Sequence, residues 1–416
     1  MIRIIVAFAL VAGCKETNPL FCEGHPDDPR CTTDGSIVAC TSNADCFAPT
    51  PVCDAPGTMM CVECTSDQTD ACTGTSPVCG DDLACRGCAA HVECPASDAC
   101  LPDGACANEA DVAYVDPTGG GTACTLASPC SEVSAALATT RAVLKLTGIT
   151  NEQVTLDNRN VTILADPGAK LTDTSNGILL KIDGTSQVSI YDLEISGASG
   201  LGIPGISLQL GNASDVLLTR VKVDANQGGG ISSSGGTLTV TQSTLSGNQG
   251  GGISVSAGAT FTITNNFVFR NGDQDTGTFG GINLGVASAG LSRLEFNTIV
   301  DNRASSGATR AGGVICDIVG FSAANNLVAR NSVGGNSSAA NAQTLGVCSY
   351  PTSTIQSDVA GLSFASPDTN PFDYHVMVGS SVIEQATTVS NIVIDVDGDS
   401  RPQGAASDIG ADEFAP

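Results

Sequence analysis

Residues 216–226, 238–248 and 261–271 read VLLTRVKVDAN, LTVTQSTLSGN and FTITNNFVFRN. Each stretch opens on period-two alternation of apolar and polar positions, the pattern of a strand with one buried face. Each reaches an Asn at the same offset, and two further copies end at Asn302 and Asn331. Glycines and a second apolar strand follow, at Gly230-Ile231, Gly252-Ile253, Gly281-Ile282 and Gly313-Val314. Looser copies precede them at 161–164 and 188–195. The Asn-to-Asn spacings are 22, 23, 31 and 29 residues, which suits one coil of a three-sided β-solenoid. Matching positions then stack about 4.8 Å apart as parallel strands. This predicts an internal stack of Val216, Leu238, Phe261 and Phe321. A second stack holds Val223, Leu245, Val268, Ile299 and Val328. Asn226, Asn248, Asn271, Asn302 and Asn331 form a ladder at a corner. Asn is expected there because it tolerates left-handed backbone and its amide can bond the copy above.

An open solenoid needs its ends covered. Ser128-Pro129 reads as an N-cap and first-turn proline of a short helix with Val133, Ala136 and Leu137 on its apolar face. That helix would cap the first coil, pinned by a disulfide between Cys124 and Cys130. Cys316 and Cys348 fall at nearly the same point of consecutive coils, within disulfide reach.

Composition agrees with strands and tight turns. The 416 residues include 48 Gly, 19 Cys, 4 Tyr and no Trp, with 14% charged residues and a net charge of −26. Only 17 Lys and Arg are spread over the chain, which excludes a nucleic-acid partner.

Before residue 107 the pattern changes. Twelve cysteines fall into three groups of four: Cys40, Cys46, Cys53, Cys61; Cys64, Cys72, Cys79, Cys85; and Cys88, Cys94, Cys100, Cys106. Pro51-Val52-Cys53-Asp54 recurs as Pro77-Val78-Cys79-Gly80. Repeats of about 24 residues cannot bury a sufficient core and need covalent staples. Two disulfides per repeat serve, though four cysteines allow three pairings; a zinc ribbon is the competing reading.

At the N-terminus, Arg3 precedes an apolar run over 4–11, too short to span a bilayer. It ends in Val11-Ala12-Gly13-Cys14, which resembles a bacterial lipobox. The resemblance implies lipid on Cys14, removal of residues 1–13 and an oxidising compartment; Lys15 after the Cys favours the outer membrane. The cysteine groups are similar to Cys-rich repeats near the N-termini of Gram-negative surface lipoproteins. The close of the chain, Asp395-Val396-Asp397-Gly398-Asp399-Ser400-Arg401-Pro402 followed by Asp408-Ile409-Gly410-Ala411-Asp412-Glu413, resembles the final segment of many exported right-handed parallel β-helix proteins. The expected fold is therefore all-β, a right-handed parallel β-helix preceded by a small disulfide-rich repeat region. The expected organisation is a signal peptide over 1–13, a linker over 14–39, cystine repeats over 40–107, a cap strand and helix over 108–145, and the β-helix with its closing segment over 146–416.

Candidate chemistry is sparse. Three inserts, 272–280, 303–312 and 332–345, leave the same corner and should cluster on one side, either as a binding surface offering Asp273, Asp275, Arg303 and Arg310 or as solvated Gly/Ser/Ala-rich loops without a ligand. Asp395, Asp397 and Asp399 could hold calcium, a hard cation that prefers carboxylate oxygens. The alternative is an Asp-rich capping turn. Two functions are carried forward. One is a non-catalytic module, expected to be monomeric, that binds a glycan or surface protein or acts as a spacer. The other is a polysaccharide lyase or glycoside hydrolase, assembled from Asp273, Asp275, Asp301 and Asp317 with Arg270 or Arg303. The Gly-His-Gly step of pectin hydrolases is absent, and His25, His91 and His375 all lie outside the coils with long loops.

Overall fold

The computed structural model describes residues 39–415 except 56, 212–213, 257, 286–289 and 388–389. The lipidation site Cys14, and Cys22 and Cys31, lie outside the described residues. Two compact units emerge, one reaching to Pro95 and including Cys100–Cys106, the other comprising Ala96–Ala99 and the chain from Ala107 onward.

The first unit has little apolar core beyond its cystines. Each group of four cysteines pairs first with third and second with fourth: Cys40–Cys53 and Cys46–Cys61, Cys64–Cys79 and Cys72–Cys85, Cys88–Cys100 and Cys94–Cys106. The bonded sulfurs leave no thiolates for a zinc ribbon. Two-residue strands, Val52–Cys53 against Cys61–Val62 and Val78–Cys79 against Cys85–Arg86, close the first two repeats as antiparallel hairpins.

The second unit is a parallel β-solenoid of three sheets with nine, eight and eight strands. Successive coils pair in strict register. Val216, Leu238 and Phe261 stand opposite one another in one sheet. Val223, Leu245, Val268, Ile299 and Val328 do so in another. Ser292 takes the next place after Phe261, and its hydroxyl accepts the Phe261 amide. Phe321 reaches across that small residue to meet Phe261 edge to face at 5.6 Å.

Two Asn ladders run inside the corners. In the expected one, the backbone and side-chain amides of Asn226, Asn248, Asn271 and Asn302 donate to Oδ1 of the Asn one coil on, at 2.8–3.2 Å, and Gln343 ends the series above Asn331. A second ladder, Asn266, Asn297 and Asn326, closes on Ser353. Every one of these Asn side chains is buried. The left-handed residue is not the Asn but the one before it: Ala225, Gly247, Arg270, Asp301 and Arg330 have φ between 51° and 64°. The Asn is needed for its side-chain amide, which accepts a backbone N–H and donates to a backbone carbonyl of the preceding coil at once, as Asn302 does with Asn271 and Val268.

The cap helix spans Val133–Ala138, later than Ser128-Pro129 suggested. Its N-cap, Glu132, makes no side-chain cap, and the carboxylate of Glu152 receives the Val133 and Ser134 amides instead. Val133, Ala136 and Leu137 are buried in the solenoid core as the apolar face predicted. Cys124 and Cys130 are disulfide-bonded beside it, as are Cys316 and Cys348. The register partner of Cys316 is Gly346, so Cys348 reaches back from two residues further along.

After the last coil, the described residues of 357–415 fold back over one sheet. The outward positions of that sheet explain where they dock. In four earlier coils these positions hold Lys170 and Thr172, Glu194 and Ser196, Lys222 and Asp224, then Thr244 and Ser246. In the next three they hold Phe267 and Phe269, Thr298 and Val300, then Leu327 and Ala329. Phe267, Val300, Leu327 and Ala329 form a second core with Leu362, Tyr374, Val376, Val382, Val396 and Ile409 of the C-terminal segment. The sheet is thus apolar on both faces where it is covered on both, as burial requires.

Candidate functional site

The inserts cluster at their corner as the coil pattern predicted. Arg303–Ala304 pairs in parallel with Ser332–Val333, Ser305 donates backbone and side-chain hydrogen bonds to the Gly277 carbonyl, and Asn341 bonds the carbonyls of Gly307 and Arg310. Small apolar clusters underlie them, Phe279–Ala311–Ile315 and Ala304–Val333–Ala342. Asp273 turns inward on its own loop and accepts from the amides of Asp275 and Thr276. Those bonds hold its carboxyl below the ordinary range. Asp275 and Arg303 are exposed and Arg310 is half-buried. None of the four lines the cavities described below.

The closing aspartates are also dispersed. Asp395 is fully buried; its Oδ1 accepts the amides of Asp397 and Asp399 and its Oδ2 accepts that of Glu413. With three backbone donors it is a turn cap, and Asp399 is exposed. The three do not converge as a calcium cage. The rest of the closing motif is a buried knot. Arg401 pairs with Glu413 at 3.0 Å, donates to the carbonyls of Asp408 and Gly410, and lies over the Phe296 ring at 4.7 Å. Asp408 accepts from the amides of Glu384 and Phe414. The knot is tied to the coils where the Gly410 amide meets the Asn325 carbonyl and the Ala411 amide meets Thr298 Oγ1.

The polar centre that the knot positions is His375, on the strand Asp373–Val376. Its Nδ1 faces Asp373 Oδ1 at 2.5 Å, and its Nε2 faces Asp397 Oδ2 at 3.0 Å. Phe267 meets the ring edge to face at 4.9 Å. The hydrogen bond to Asp397, with that to Asp373, raises the imidazole to about 9 against the opposing effect of burial. Burial pushes Asp373 upward, but hydrogen bonds from the His375 amide and ring outweigh it, and the carboxyl sits low. Asp412 completes the group. It is buried, accepts the Val376 amide at 2.7 Å, and desolvation lifts it to about 6.

Two adjoining cavities open on this centre, where the polar part of the sheet meets the covered part. One, of about 320 Å³, is lined by Arg220, Lys222, Gln242, Thr244, Phe267, His375 and Asp397. The other, of about 500 Å³, shares Thr244, Phe267 and His375 and continues along Phe269, Thr369, Asn370 and Phe372. Their charges are already paired. Arg220 grips Asp192 at 2.6 and 2.8 Å, and Lys222 meets Glu194 at 3.2 Å and Asp224 at 3.8 Å. Behind the second cavity, Arg330 binds Asp301 through two hydrogen bonds, Tyr374 donates to the same carboxylate at 2.6 Å, and Arg270 stacks on Phe372 at 3.5 Å.

Residues 176–354 match the family model described as right handed beta helix region. The solenoid is a right-handed parallel β-helix. No curated protein matches the chain. Among solved structures, the crystal structure of pectate lyase Pel9A is similar over 73% of this chain and 96% of that one, at 16% identity and a TM-score of 0.37. A likeness of that size bears on neither site nor activity.

Sequence reasoning passed over His375 because it belongs to no coil. One signal was present: the outward positions of the β-helix change from KLT, EIS, KVD and TLS to FVF, TIV and LVA. That change marks a covered face, and the groove lies at its edge.

Proposed function

We propose that this chain is an exported envelope lipoprotein, anchored by lipid on Cys14 and favoured for the outer membrane, whose β-helix is a non-catalytic module that binds a neutral oligosaccharide. The observation that carries the reading is the groove at His375. Its volume suits a small ligand, and its polar groups are fixed in advance by ion pairs beside Phe267, Phe269 and Phe372. Pre-oriented donors and acceptors next to aromatic rings fit sugar hydroxyls and C–H faces. Asp373 and Asp397, with a net charge of −26, disfavour a polyanion.

The same geometry favours holding over cleaving. An imidazole raised to about 9 is protonated at neutral pH and cannot serve as a general base. A glycoside hydrolase needs carboxylates facing each other across the sugar. Here Asp373 and Asp397 are both committed to one imidazole.

The test is an array of neutral and acidic oligosaccharides probed with the full detergent-solubilised chain, alongside Thr244→Trp, which fills the groove. Retention of neutral sugars that Thr244→Trp loses supports the reading. No retention, equal retention by the variant, or release of cleaved or unsaturated products overturns it. Anchoring is checked separately by incorporation of labelled fatty acid, expected to vanish in Cys14→Ser; labelling that persists contradicts it.

A further inference from the structure

The geometry points to a divalent transition-metal site of the zinc class at His375, Asp397 and Asp412. A ring nitrogen of His375 and one carboxylate oxygen from each aspartate all lie within 4.8 Å of one another. The 3.0 Å between Nε2 and Asp397 Oδ2 is already close to the edge of a coordination shell, about 3.3 Å for bonds of about 2.0–2.1 Å. A small movement of Asp412 completes the set.

Two features go beyond a chance cluster. Asp412 is 7% exposed, and its Oδ2 takes the Val376 amide. A largely buried carboxylate facing an imidazole and a second carboxylate is an electrostatic arrangement that a cation completes. The second feature is Asp373, whose carboxylate takes the Nδ1 side of the ring at 2.5 Å. A carboxylate on one ring nitrogen fixes the tautomer that presents the other to a metal.

The donor set selects the metal class. One imidazole and two carboxylates suit zinc and its first-row neighbours, whereas calcium seeks six to eight oxygens. His375 and Asp397 also line the 320 Å³ cavity, which gives the ion a route in from solvent. On binding, the proton shared by Nε2 and Asp397 leaves to solvent. The site does not depend on the oligosaccharide reading, and its test contains no sugar.

The experiment is equilibrium dialysis of the full, oxidised chain, stripped with chelator, against zinc chloride, followed by elemental analysis. One equivalent of zinc is expected, lost in His375→Gln and in Asp412→Asn. Asp412→Asn keeps an oxygen for the Val376 amide, so circular dichroism should match wild type. Asp373→Asn, which changes only the ring's support, should weaken binding roughly 10–100-fold. Absence of stoichiometric zinc overturns the site, as does zinc retained in the His375→Gln, Asp412→Asn double variant. Calcium bound with zinc excluded overturns the metal class.

Discussion

One sheet of the β-helix has two outer surfaces, and they are held to different partners. Over the coils of 170–246 the outward residues are Lys, Glu, Asp, Ser and Thr, linked in a charge ladder from Lys170 through Glu194 to Lys222. Over the coils of 267–329 they are Phe, Thr, Val, Leu and Ala under the C-terminal segment. The inner face is the same throughout, an unbroken stack of Val, Leu and Ile. Folding of the coils therefore depends on the inner face, and the outer face is free to be solvated or to recruit another part of the chain. The groove with His375 exists because the change happens between Thr244 and Phe267.

The strongest way to break the comparison is to untie the knot. Arg401→Ala leaves Glu413 buried without its partner, and loss of one member of a buried pair costs about 3–5 kcal/mol. Limited proteolysis should then cut within 357–415 while the coils stay resistant. A smaller step removes apolar surface from the outer core alone. Leu327→Ala should weaken docking of the segment by about 2–4 kcal/mol, read from the same cleavage rates, because the cavity it leaves lies outside the coil stack.

A third change moves the comparison inward. Asn302→Ala leaves the Val268 carbonyl and the Asn271 amide of the preceding coil unsatisfied and should cost about 1–3 kcal/mol by denaturant unfolding. Unlike the first two, it should loosen the coils and the segment together. The smallest effect is expected on the solvated half. Lys222 is 49% exposed, and Lys222→Ala should change stability by about 0–1 kcal/mol, the range of surface ion pairs. A larger loss would mean that the charge ladder shares the work of the inner stack.

The coils were legible because a β-helix repeats one environment, so a few aligned residues set the register of all. Phe261, Leu245 and Asn271 were placed by their offsets alone. The second ladder escaped notice because its positions 266, 297 and 326 follow 243, which holds Ser, and 221, which holds Val. The cystine pairing within each repeat was open for a related reason: four equivalent thiols in a coreless segment carry no pattern of burial to rank them. The C-terminal segment follows no period at all. By spacing Asp395, Asp397 and Asp399 read either as calcium ligands or as a capping turn, and Asp395 takes the second role, facing the amides of Asp397, Asp399 and Glu413. His375 acquires its partners in the same way, from Asp397 on a turn 22 residues on.

The central claim is that the C-terminal segment docks as a unit on a β-helix that stands without it, and so builds the groove. Hydrogen exchange of wild type and Arg401→Ala, followed by mass spectrometry, tests this most directly. Amides of 373–376 and 395–413 should exchange much faster in the variant, while those of 238–246 and 261–264 keep their protection. Equal loss of protection in coils and segment, or no change in either, would contradict the account.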